Sequence, residues 1–379
     1  MTDVPALRER LVDVLRDDGG LTRDDLIRAF ATVPRELFLA DGFHLGDAGF
    51  LRPGDDGFLA GAYRNDALVT KFDDGRPVSS SSQPSLMALM IEALGIAPGM
   101  RVLEIGAGTG YNAALMAHIG ADVTSVDVQP DVAARAAAAL KRTGVTGARV
   151  RVGDGYLGEP GGAPYDRVIV TVGVTGVSPH WLAQLVPGGL MLAPVAHAGN
   201  NPVLRVWTRP AAGRAEPGWP ATDDLFADGV CGAGFMAAAG PLAARYPWSH
   251  PDPLRVPDGV TPTVQIPPRW KQPLDGLSYH DLWFAVGAWD RRTTGSPFDG
   301  GSGCVLADET RAGGAAIRAD GSVIAAGAHA AEYANDAGIL LDRWLDAGRP
   351  GIEQWRAPLV LAGDPAAPIY VPREWSLFA

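Results

Sequence analysis

The chain has 379 residues, of which 47% are hydrophobic and 20% are charged, as in ordinary globular proteins. That length exceeds one average domain and predicts two domains, or one enlarged domain with a satellite. The formal net charge of −11 argues against a nucleic-acid partner, because such proteins present a basic face.

The N-terminal region is predicted to contain two helices followed by a long loop. Apolar residues at helical spacing predict helices over 3–18 and 22–31, with Thr22 as the N-cap of the second helix. Residues 41–75 are rich in Gly and Asp, which predicts a loop. The helical spacing returns at residue 84 and ends at Gly95.

The segment 101–195 alternates between strand patterns and helix patterns. Strands are predicted over 101–106, 121–128, 148–154, 165–172 and 189–195, and helices over 111–120, 130–144 and 178–186. Such alternation is typical of an α/β fold in which helices cover both faces of a parallel sheet. A further strand over 202–210 is expected to form an antiparallel edge.

The character of the sequence changes after about residue 211. Prolines cluster between 241 and 273, and eight of the ten tryptophans lie from Trp219 onward. Strands are predicted over 281–289, 304–307, 315–319 and 322–327, before a helix over 330–348. We therefore predict three regions: an N-terminal helical and loop region (1–80), an α/β core (81–210) and a C-terminal α+β module (211–379).

The cysteines and the N-terminal sequence indicate in which cellular compartment the protein is expected. Cys231 and Cys304 have no spacing typical of a metal site or a disulfide framework. The N-terminal MTDVPALRERL lacks the apolar centre of a signal peptide, and no uncharged run approaches the ~20 residues of a membrane span. We expect a cytoplasmic protein with no membrane partner and no metal. The sequence does not decide between a monomer and a homodimer.

The stretch VLEIGAGTGYN (102–112) has the pattern of a ligand-binding turn. A strand containing Glu104 runs into Gly106, Gly108 and Gly110, and glycine permits positive φ and close approach of backbone to ligand. Dinucleotide-binding folds use a similar turn. The G-x-G-x-G spacing and the acidic Glu104, which would repel a pyrophosphate, favour S-adenosylmethionine (SAM) instead.

Two further acidic residues follow the next two predicted strands. Asp127 ends its strand 23 residues after Glu104 and is placed to accept the ribose hydroxyls. Asp154, in GDG (153–155), is placed to accept an adenine amino proton, with a simple Asp-Gly turn as the alternative. All three acidic residues are expected at the carboxyl edge of the sheet, where open α/β folds bind ligands.

These motifs resemble those of the protein L-isoaspartyl (D-aspartyl) O-methyltransferases, a family of class I SAM-dependent methyltransferases. The resemblance covers roughly residues 20–210. It is carried by ATVPREL (31–37), SSSQP (80–84), RVLEIGAGTGY (101–111), GDG (153–155), DRVIVT (166–171) and LVPGG (185–189). It implies a Rossmann-like fold, SAM as cofactor, and a family serine that is matched by Ser82.

The sequence also departs from that family. Ser81 replaces an isoleucine, VGVTGVSP (172–179) replaces an Ala-Ala-Pro loop, and region 211–379 is expected to have no counterpart in the repair enzymes. Long versions with this serine stretch resemble enzymes associated with modified ribosomal peptides (graspetides and lanthipeptides). That resemblance implies esterification of an aspartate in a cyclised precursor peptide, after which the ester closes to an aspartimide.

The expected chemistry needs positioning more than acid–base catalysis, because a carboxylate is already an anion at pH 7. Ser82 is the candidate catalytic residue, a neutral hydroxyl that orients the carboxylate without stabilising its ground state too strongly. The cofactor-binding residues are predicted to be Ser79, Ser80, Ser81, Ser82, Glu104, Gly106, Gly108, Gly110, Tyr111, Asn112, Asp127, Val128, Asp154 and Gly155. The substrate-binding residues are predicted to be Ser81, Ser82, Gln83, Val172, Gly173 and Val174. One serine is also expected to cap the helix at Pro84.

The C-terminal module is predicted to hold the peptide. Trp283, Phe284, Trp289, Arg291 and Arg292 offer an aromatic and basic surface, although buried strand packing is the favoured interpretation of this segment.

Several functions remain open at this level. The favoured one is a peptide-tailoring aspartate O-methyltransferase, and the first alternative is an L-isoaspartyl protein-repair methyltransferase. A SAM-fold peptide-binding protein without catalysis and a small-molecule carboxyl methyltransferase are the others.

Overall fold

The computed structural model describes residues 3–46, 49–208, 224–243, 263–298, 301–307 and 312–378. Much of the proline cluster, residues 244–262, and Trp219 lie outside these described residues. Within the described ranges, no helix is long and apolar enough to cross a membrane. No group of three or more His, Cys, Asp or Glu side chains in the same ranges could hold a metal ion.

The helices and strands are numbered in chain order. The helices are α1 (Val4–Asp17), α2 (Asp24–Thr32), α3 (Phe58–Ala62), α4 (Pro84–Leu94), α5 (Tyr111–Ile119), α6 (Pro130–Thr143), α7 (Pro179–Ala183), α8 (Gly276–Trp289) and α9 (Ala330–Asp346). The strands up to residue 208 are β1 (Phe43–His44), β2 (Phe50–Leu51), β3 (Leu68–Asp73), β4 (Arg76–Ser81), β5 (Arg101–Ile105), β6 (Asp122–Asp127), β7 (Ala148–Val152), β8 (Tyr165–Val170), β9 (Leu185–Pro194) and β10 (Val203–Thr208). The later strands are β11 (Leu225–Cys231), β12 (Val264–Ile266), β13 (Thr293–Phe298), β14 (Gly301–Ala307), β15 (Gly313–Ile317), β16 (Val323–Gly327), β17 (Trp355–Asp364), β18 (Ala367–Pro372) and β19 (Ser376–Leu377).

A central sheet organises the part of the chain that the structure describes. Its order is β18-β17-β11-β10-β9-β8-β5-β6-β7, with β19 added beside β17. Strands β5 to β9 pair in parallel, whereas β10, β11 and β17 pair antiparallel. The predicted strand–helix alternation over 101–195 and the antiparallel strand after it are therefore confirmed, and the carboxyl ends of β5 to β9 share one edge.

The helix ends in this core follow from the residues at them. Pro130 occupies the first turn of α6, where no backbone N–H is needed, and Gly144 ends that helix at φ +73°. The predicted cap Thr22 is wrong, because Arg23 is the N-cap residue of α2 and makes no side-chain capping bond. The Thr22 hydroxyl and the backbone N–H groups of Thr22 and Arg23 all donate to the Glu92 carboxylate of α4.

The predicted loop over 41–75 is wrong. This segment contributes β1 to β3 and α3, and with β4 it forms a four-stranded sheet in the order β2-β1-β3-β4. The glycines and aspartates that predicted a loop lie mostly in its turns, whereas Phe43, Phe58 and Leu68 are buried in the N-terminal core. The structure of this segment thus depends on a few well-spaced apolar residues more than on its average composition.

Three of the four consecutive serines belong to a strand, and Ser82 follows it directly. Ser79, Ser80 and Ser81 end β4, and Gln83 is the N-cap residue of α4 without a side-chain capping bond. No serine therefore caps α4, and that prediction is wrong. Pro84 has no backbone N–H to satisfy, and the Ser85 N–H donates to the Asn65 side chain at 2.9 Å, which replaces a cap from within the helix.

The region after residue 211 is shared between two sheets. Strands β11, β17 and β18 extend the central sheet, while β12 to β16 form a separate five-stranded sheet in the order β12-β16-β15-β14-β13. Helices α8 and α9 pack with this second sheet in one buried cluster. The boundary predicted at residue 210 therefore falls inside a continuous sheet.

The segment DLWFAVGAW (281–289) is helical, not a strand. It forms most of α8, in which Leu282, Trp283, Phe284, Ala285 and Val286 are all buried. A helix that is buried on every side has no polar face, so its residues show no helical period. Burial of Trp283 and Phe284 also means that they form no aromatic surface, and Arg292 is paired with two aspartates.

Candidate active site

The glycine turn between β5 and α5 has the geometry of a ligand cradle. Gly106, Gly108 and Gly110 all have positive φ, of +100°, +52° and +83°. A Cβ on Gly106 would lie 2.6 Å from the Thr171 hydroxyl oxygen, and one on Gly108 would lie 2.9 Å from the Ser80 carbonyl oxygen. Only glycine fits these two positions, and the backbone of the turn stays open to a ligand.

Glu104 anchors this turn from inside the sheet. The side chain is fully buried, and its carboxylate accepts hydrogen bonds from the Asn112 amide at 2.8 Å and from the Ser125 hydroxyl at 2.5 Å. Burial raises the pKa of Glu104 to about 7, against the two hydrogen bonds that lower it. Because solvent does not reach the carboxylate, we expect Glu104 to act on a ligand through Asn112.

Glu104→Gln should therefore change how the stability of the protein depends on pH. The pKa of Glu104 is raised above its unfolded value. Its favourable contribution to the free energy of unfolding is therefore present below pH 4.5 and is lost as the pH rises to about 7. This loss is on the order of 3 kcal/mol for the wild type and is absent from the glutamine variant. Urea unfolding should show the variant to be more stable at pH 8, with the advantage shrinking at pH 5. Parallel pH curves for the two proteins would contradict the assignment.

Asp127 lies at the end of β6, beside the glycine turn. Its two carboxylate oxygens accept the backbone N–H groups of Gly108 at 3.1 Å and of Gln129 at 3.0 Å. Burial raises the pKa of Asp127. Each carboxylate oxygen can accept a second hydrogen bond, so the pair remains available to two vicinal hydroxyls.

Two side chains that the sequence analysis missed tie the serine hairpin to this strand end. The Gln129 amide donates to the Val78 carbonyl of β4 at 2.8 Å. The Lys71 ammonium of β3 donates to the Gln129 side chain and to Asp131, both at 2.8 Å. These contacts join segments about 50 to 60 residues apart, and no local motif marks such pairs.

The next strand end combines a capping aspartate with exposed apolar surface. Asp154 is exposed, and its carboxylate accepts the Tyr156 N–H at 2.9 Å, which is the geometry of a simple Asp-Gly turn. A Cβ on Gly155 would lie 2.9 Å from the Ile105 side chain, so packing alone requires glycine there. Val128 is 52% exposed and Leu157 is 47% exposed. Such surface at the ends of neighbouring strands suits the face of an aromatic base.

The serines alternate between two environments, as side chains on a strand must. Ser79 is 7% exposed, and Ser81 is 2% exposed. The Ser79 hydroxyl accepts a hydrogen bond from Thr70, and the Ser81 hydroxyl accepts one from Arg35. Both hydroxyls are thus engaged within the protein, and direct roles for Ser79 and Ser81 in binding cofactor or substrate stay predictions.

Ser80 and Ser82 occupy the more open side of the strand exit. Both are half-buried, and the Ser80 carbonyl lies directly against Gly108. Neither hydroxyl has a hydrogen-bond partner in the described part of the chain. Gln83 is exposed beside them. Ser82, two residues after the Ser80 contact with Gly108, thus keeps a hydroxyl that is free to bind a ligand, and its catalytic role stays a prediction.

The loop after β8 is only partly available to a substrate. The Thr171 hydroxyl donates to the Gly106 carbonyl at 2.6 Å, and Val172 is half-buried beside Gly106. The N–H and C=O groups of Gly173 pair with residues 236 and 238 at 2.8 Å, and Val174 is fully buried. Gly173 is thus paired with a segment from beyond residue 230, and Val174 with the end of β9. Substrate contacts by Gly173 and Val174 stay predictions.

The first two residues of α5 are both buried. The Tyr111 ring packs against the rings of Phe30 and Phe38, and its contact with a cofactor stays a prediction. Asn112 is buried as well, and its carbonyl oxygen has no partner among the described residues. That unpaired acceptor, together with the glycine cradle and Asp127, fits a ligand that carries an ammonium group and ribose hydroxyls, as SAM does.

A separate cleft opens behind the serine strand. It lies between residues 38–42, the β3–β4 hairpin and α6. Of the predicted cofactor-binding residues, it contains Ser79 and Gly108. The cleft is therefore not centred on the strand ends, and we place the candidate site at the strand ends on the basis of the polar groups that converge there.

Sequence comparison relates the chain to known methyltransferases. The profile of a family described as Protein-L-isoaspartate(D-aspartate) O-methyltransferase (PCMT) matches residues 6–216. A protein-L-isoaspartate O-methyltransferase from Thermotoga maritima is 38% identical over 192 residues, 50% of this chain and 55% of that protein. One from Anaeromyxobacter dehalogenans (strain 2CP-C) is 48% identical over 136 residues, 36% of this chain and 65% of that protein. The matches thus span 55% and 65% of these two relatives.

Structural comparison extends the likeness to the C-terminal region. A solved structure named protein-L-isoaspartate O-methyltransferase has a TM-score of 0.52 and 28% sequence identity to this chain. The match covers 96% of this chain and 99% of that chain. The expectation that region 211–379 has no counterpart in proteins of that name is therefore wrong.

Proposed function

Since this chain belongs to the protein-L-isoaspartate(D-aspartate) O-methyltransferase family, we propose that it methylates the free α-carboxylate of L-isoaspartyl residues in peptides or proteins. The fold is that of the class I SAM-dependent methyltransferases, and SAM is the cofactor of such enzymes. When bound, SAM supplies a methyl group on a sulfonium, and the electron pair of the breaking C–S bond stays on sulfur. The remaining task of the protein is to hold the acceptor oxygen in line with that bond.

The observation that carries the proposal is the contact between the serine strand and the glycine turn. The Ser80 carbonyl touches Gly108, so Ser82, two residues further on, leaves the strand beside the turn with its hydroxyl uncommitted. A hydroxyl there donates one hydrogen bond to a carboxylate and leaves the other carboxylate oxygen free to attack. Val172, against Gly106, closes the other side and excludes water.

The remaining groups divide the cofactor between them. Asp127 accepts the two ribose hydroxyls, Val128 packs on the adenine, and Asp154 accepts from its amino group. The Asn112 carbonyl oxygen receives the ammonium group, and Glu104 fixes the orientation of the Asn112 side chain through the hydrogen bond described above. The Asn112 carbonyl oxygen is buried and has no partner among the described residues, so this role requires the site to open when the cofactor enters.

The isoaspartyl substrate is favoured by the extent of the structural likeness. The chain aligns over almost its entire length with a protein of that name, C-terminal region included. The peptide-tailoring function was inferred partly from the expectation that this region has no counterpart in the repair enzymes. That argument for it no longer holds.

A second candidate acceptor is an ordinary aspartate in a cyclised, modified ribosomal peptide, whose ester closes to an aspartimide. One observation favours it: residues 236–238 pair with Gly173 and narrow the acceptor side from the C-terminal region. A narrowed entrance selects among peptides by shape. The C-terminal region holds the peptide in either case.

Turnover with two peptides distinguishes the candidates. The purified protein is incubated with SAM and either a linear peptide that contains L-isoaspartate or a cyclised peptide that contains ordinary aspartate, and S-adenosylhomocysteine release and peptide mass are recorded. We expect methylation of the isoaspartyl peptide, with a linear aspartyl peptide of the same sequence as the unreactive control. Methylation of the cyclised peptide alone supports the second candidate. Binding of SAM with turnover of neither leaves a binding protein or a small-molecule carboxyl methyltransferase.

A further inference from the structure

Arg35 is a buried arginine that the proposed chemistry does not use. It follows Pro34 in the ATVPREL stretch and begins a single 3₁₀ turn that ends at Leu39. Its side chain is fully buried, at 0% exposure. An arginine is rarely buried to this extent unless its donors have partners. Both terminal nitrogens of Arg35 have them, whereas Nε is buried without a partner among the described residues.

The partners of Arg35 are main-chain carbonyls from two distant segments. One terminal nitrogen, Nη1, donates to the carbonyls of Ala62 at 3.0 Å and Arg64 at 2.8 Å. The other, Nη2, donates to the carbonyl of Asp66 at 3.1 Å. Nη2 also donates to the Ser82 carbonyl at 3.0 Å and to the Ser81 hydroxyl at 3.4 Å.

No carboxylate in the described part of the chain forms a salt bridge with this guanidinium. The Asp66 side chain pairs instead with Arg64, at 2.7 Å. The guanidinium carbon lies 5.9 Å from the centre of the Tyr111 ring, at the start of α5. Burial lowers the pKa of Arg35 to about 10, so the group is still a cation at neutral pH. A cation bound mainly by carbonyl dipoles fixes the positions of those carbonyls, because each is drawn to the same charge.

We propose that Arg35 is a positioning residue for methyl transfer, which sets the place of Ser82 relative to the glycine turn. This inference rests on the proposed function. Arg35 binds the peptide unit of Ser82 on one side and lies over the Tyr111 ring, which directly follows Gly110, on the other. The nearest other side-chain contacts of this segment lie on either side of Ser82: the Gln129 amide donates to the Val78 carbonyl, and the Ser85 N–H donates to the Asn65 side chain. Among these three side chains, Arg35 is the one that bonds the Ser82 peptide unit itself.

A purely structural role for Arg35 makes a different prediction. If Arg35 only stabilised the N-terminal core, its loss would lower the melting temperature and the folded fraction, while each folded molecule kept its kcat. If Arg35 positions Ser82, each folded molecule that binds SAM loses kcat, because an acceptor displaced by about 1 Å reacts up to ~100-fold more slowly.

Arg35→Met and Arg35→Lys test the proposal, with Arg167→Met as the matched control. Arg167 also donates to main-chain carbonyls, those of Leu94 and Asp166, but touches none of the candidate site residues. We expect Arg35→Met to lower kcat for the isoaspartyl peptide about tenfold, with unchanged SAM affinity by calorimetry. Lysine keeps the charge but not the planar fork, so Arg35→Lys should fall between methionine and wild type. Should Arg35→Met fail to fold, Arg35→Lys carries the kinetic test alone.

Crystal structures of the same variants give a readout that does not depend on activity. We expect the Ser82 hydroxyl in Arg35→Lys or Arg35→Met to shift relative to Gly106 and Gly108, and to stay in place in Arg167→Met. An unmoved Ser82, a normal kcat per SAM-binding molecule, or an equal loss in Arg167→Met overturns the proposal. If the wild type methylates no isoaspartyl peptide, the proposed function fails, and the position of Ser82 still decides the role of Arg35.

Discussion

Asp127→Ala should weaken SAM binding by at least roughly 100-fold. Two hydroxyl donors to one carboxylate contribute about 1.5 to 3 kcal/mol each, and about 1.4 kcal/mol corresponds to a tenfold change in affinity. The variant also frees the N–H groups of Gly108 and Gln129, which loosens the glycine turn itself. Titration calorimetry with SAM, and with S-adenosylhomocysteine, measures the loss.

Asp122→Ala is the matched control for this result. Asp122 begins the same strand at the opposite edge of the sheet and forms a half-exposed salt bridge with Arg149. Surface pairs of this kind contribute roughly 0 to 1 kcal/mol, so the control should lose little stability and no SAM affinity. Equal SAM affinity in Asp127→Ala and the wild type would remove the ribose role of Asp127 and move the cofactor away from these strand ends.

The α/β core was predictable because its signals are local. Each parallel strand is an apolar run, and each connection contains a glycine or proline that ends one element and begins the next, as at Pro130 and Gly144. The ligand turn was predictable for the same reason. The backbone at Gly106, Gly108 and Gly110 has positive φ, which glycine adopts most readily. The turn therefore leaves three glycines at a fixed spacing in the sequence.

The parts that sequence reasoning missed depend on contacts between distant segments. Whether Ser79 and Ser81 or Ser80 and Ser82 are free is decided by the register of β3 against β4, in which Leu68 pairs with Ser81. The pairing of Gly173 is decided by residues 236–238, some 60 positions further on. The middle of α8, residues 282–286, is buried on all sides and carries no periodic signal, so its segment resembled a strand.

These misses share a consequence for function. The predicted substrate-binding residues came from two segments, 81–83 and 172–174. In the structure a third segment, residues 236–238, pairs with Gly173 of the second one. If the acceptor binds as proposed, region 211–379 contributes to its site, and truncating the chain near residue 210 would remove the partners of Gly173.

Ser82→Ala should lower kcat roughly 100-fold while SAM affinity is largely kept. The change removes one donor to the acceptor carboxylate, and single donors that orient or stabilise a reacting oxygen contribute about 10²- to 10³-fold in kcat. The Ser82 hydroxyl has no other partner in the described structure, so its loss leaves no buried group unsatisfied and should cost little stability. Steady-state kinetics with the isoaspartyl peptide, beside calorimetry with SAM, separates the two effects.

Ser82→Thr and Ser85→Ala make this result specific. Threonine keeps the hydroxyl and should recover much of the lost kcat, if its methyl group fits beside the glycine turn. Ser85 lies in the first turn of α4, three residues after Ser82. Its backbone N–H donates to the Asn65 side-chain oxygen, so the Ser85 hydroxyl is not needed for that contact. Ser85→Ala should leave kcat and SAM affinity near those of the wild type. If Ser82→Ala retained full kcat, orientation of the carboxylate would have to come from backbone N–H groups of the glycine turn, and Arg35 would then have no side chain to position.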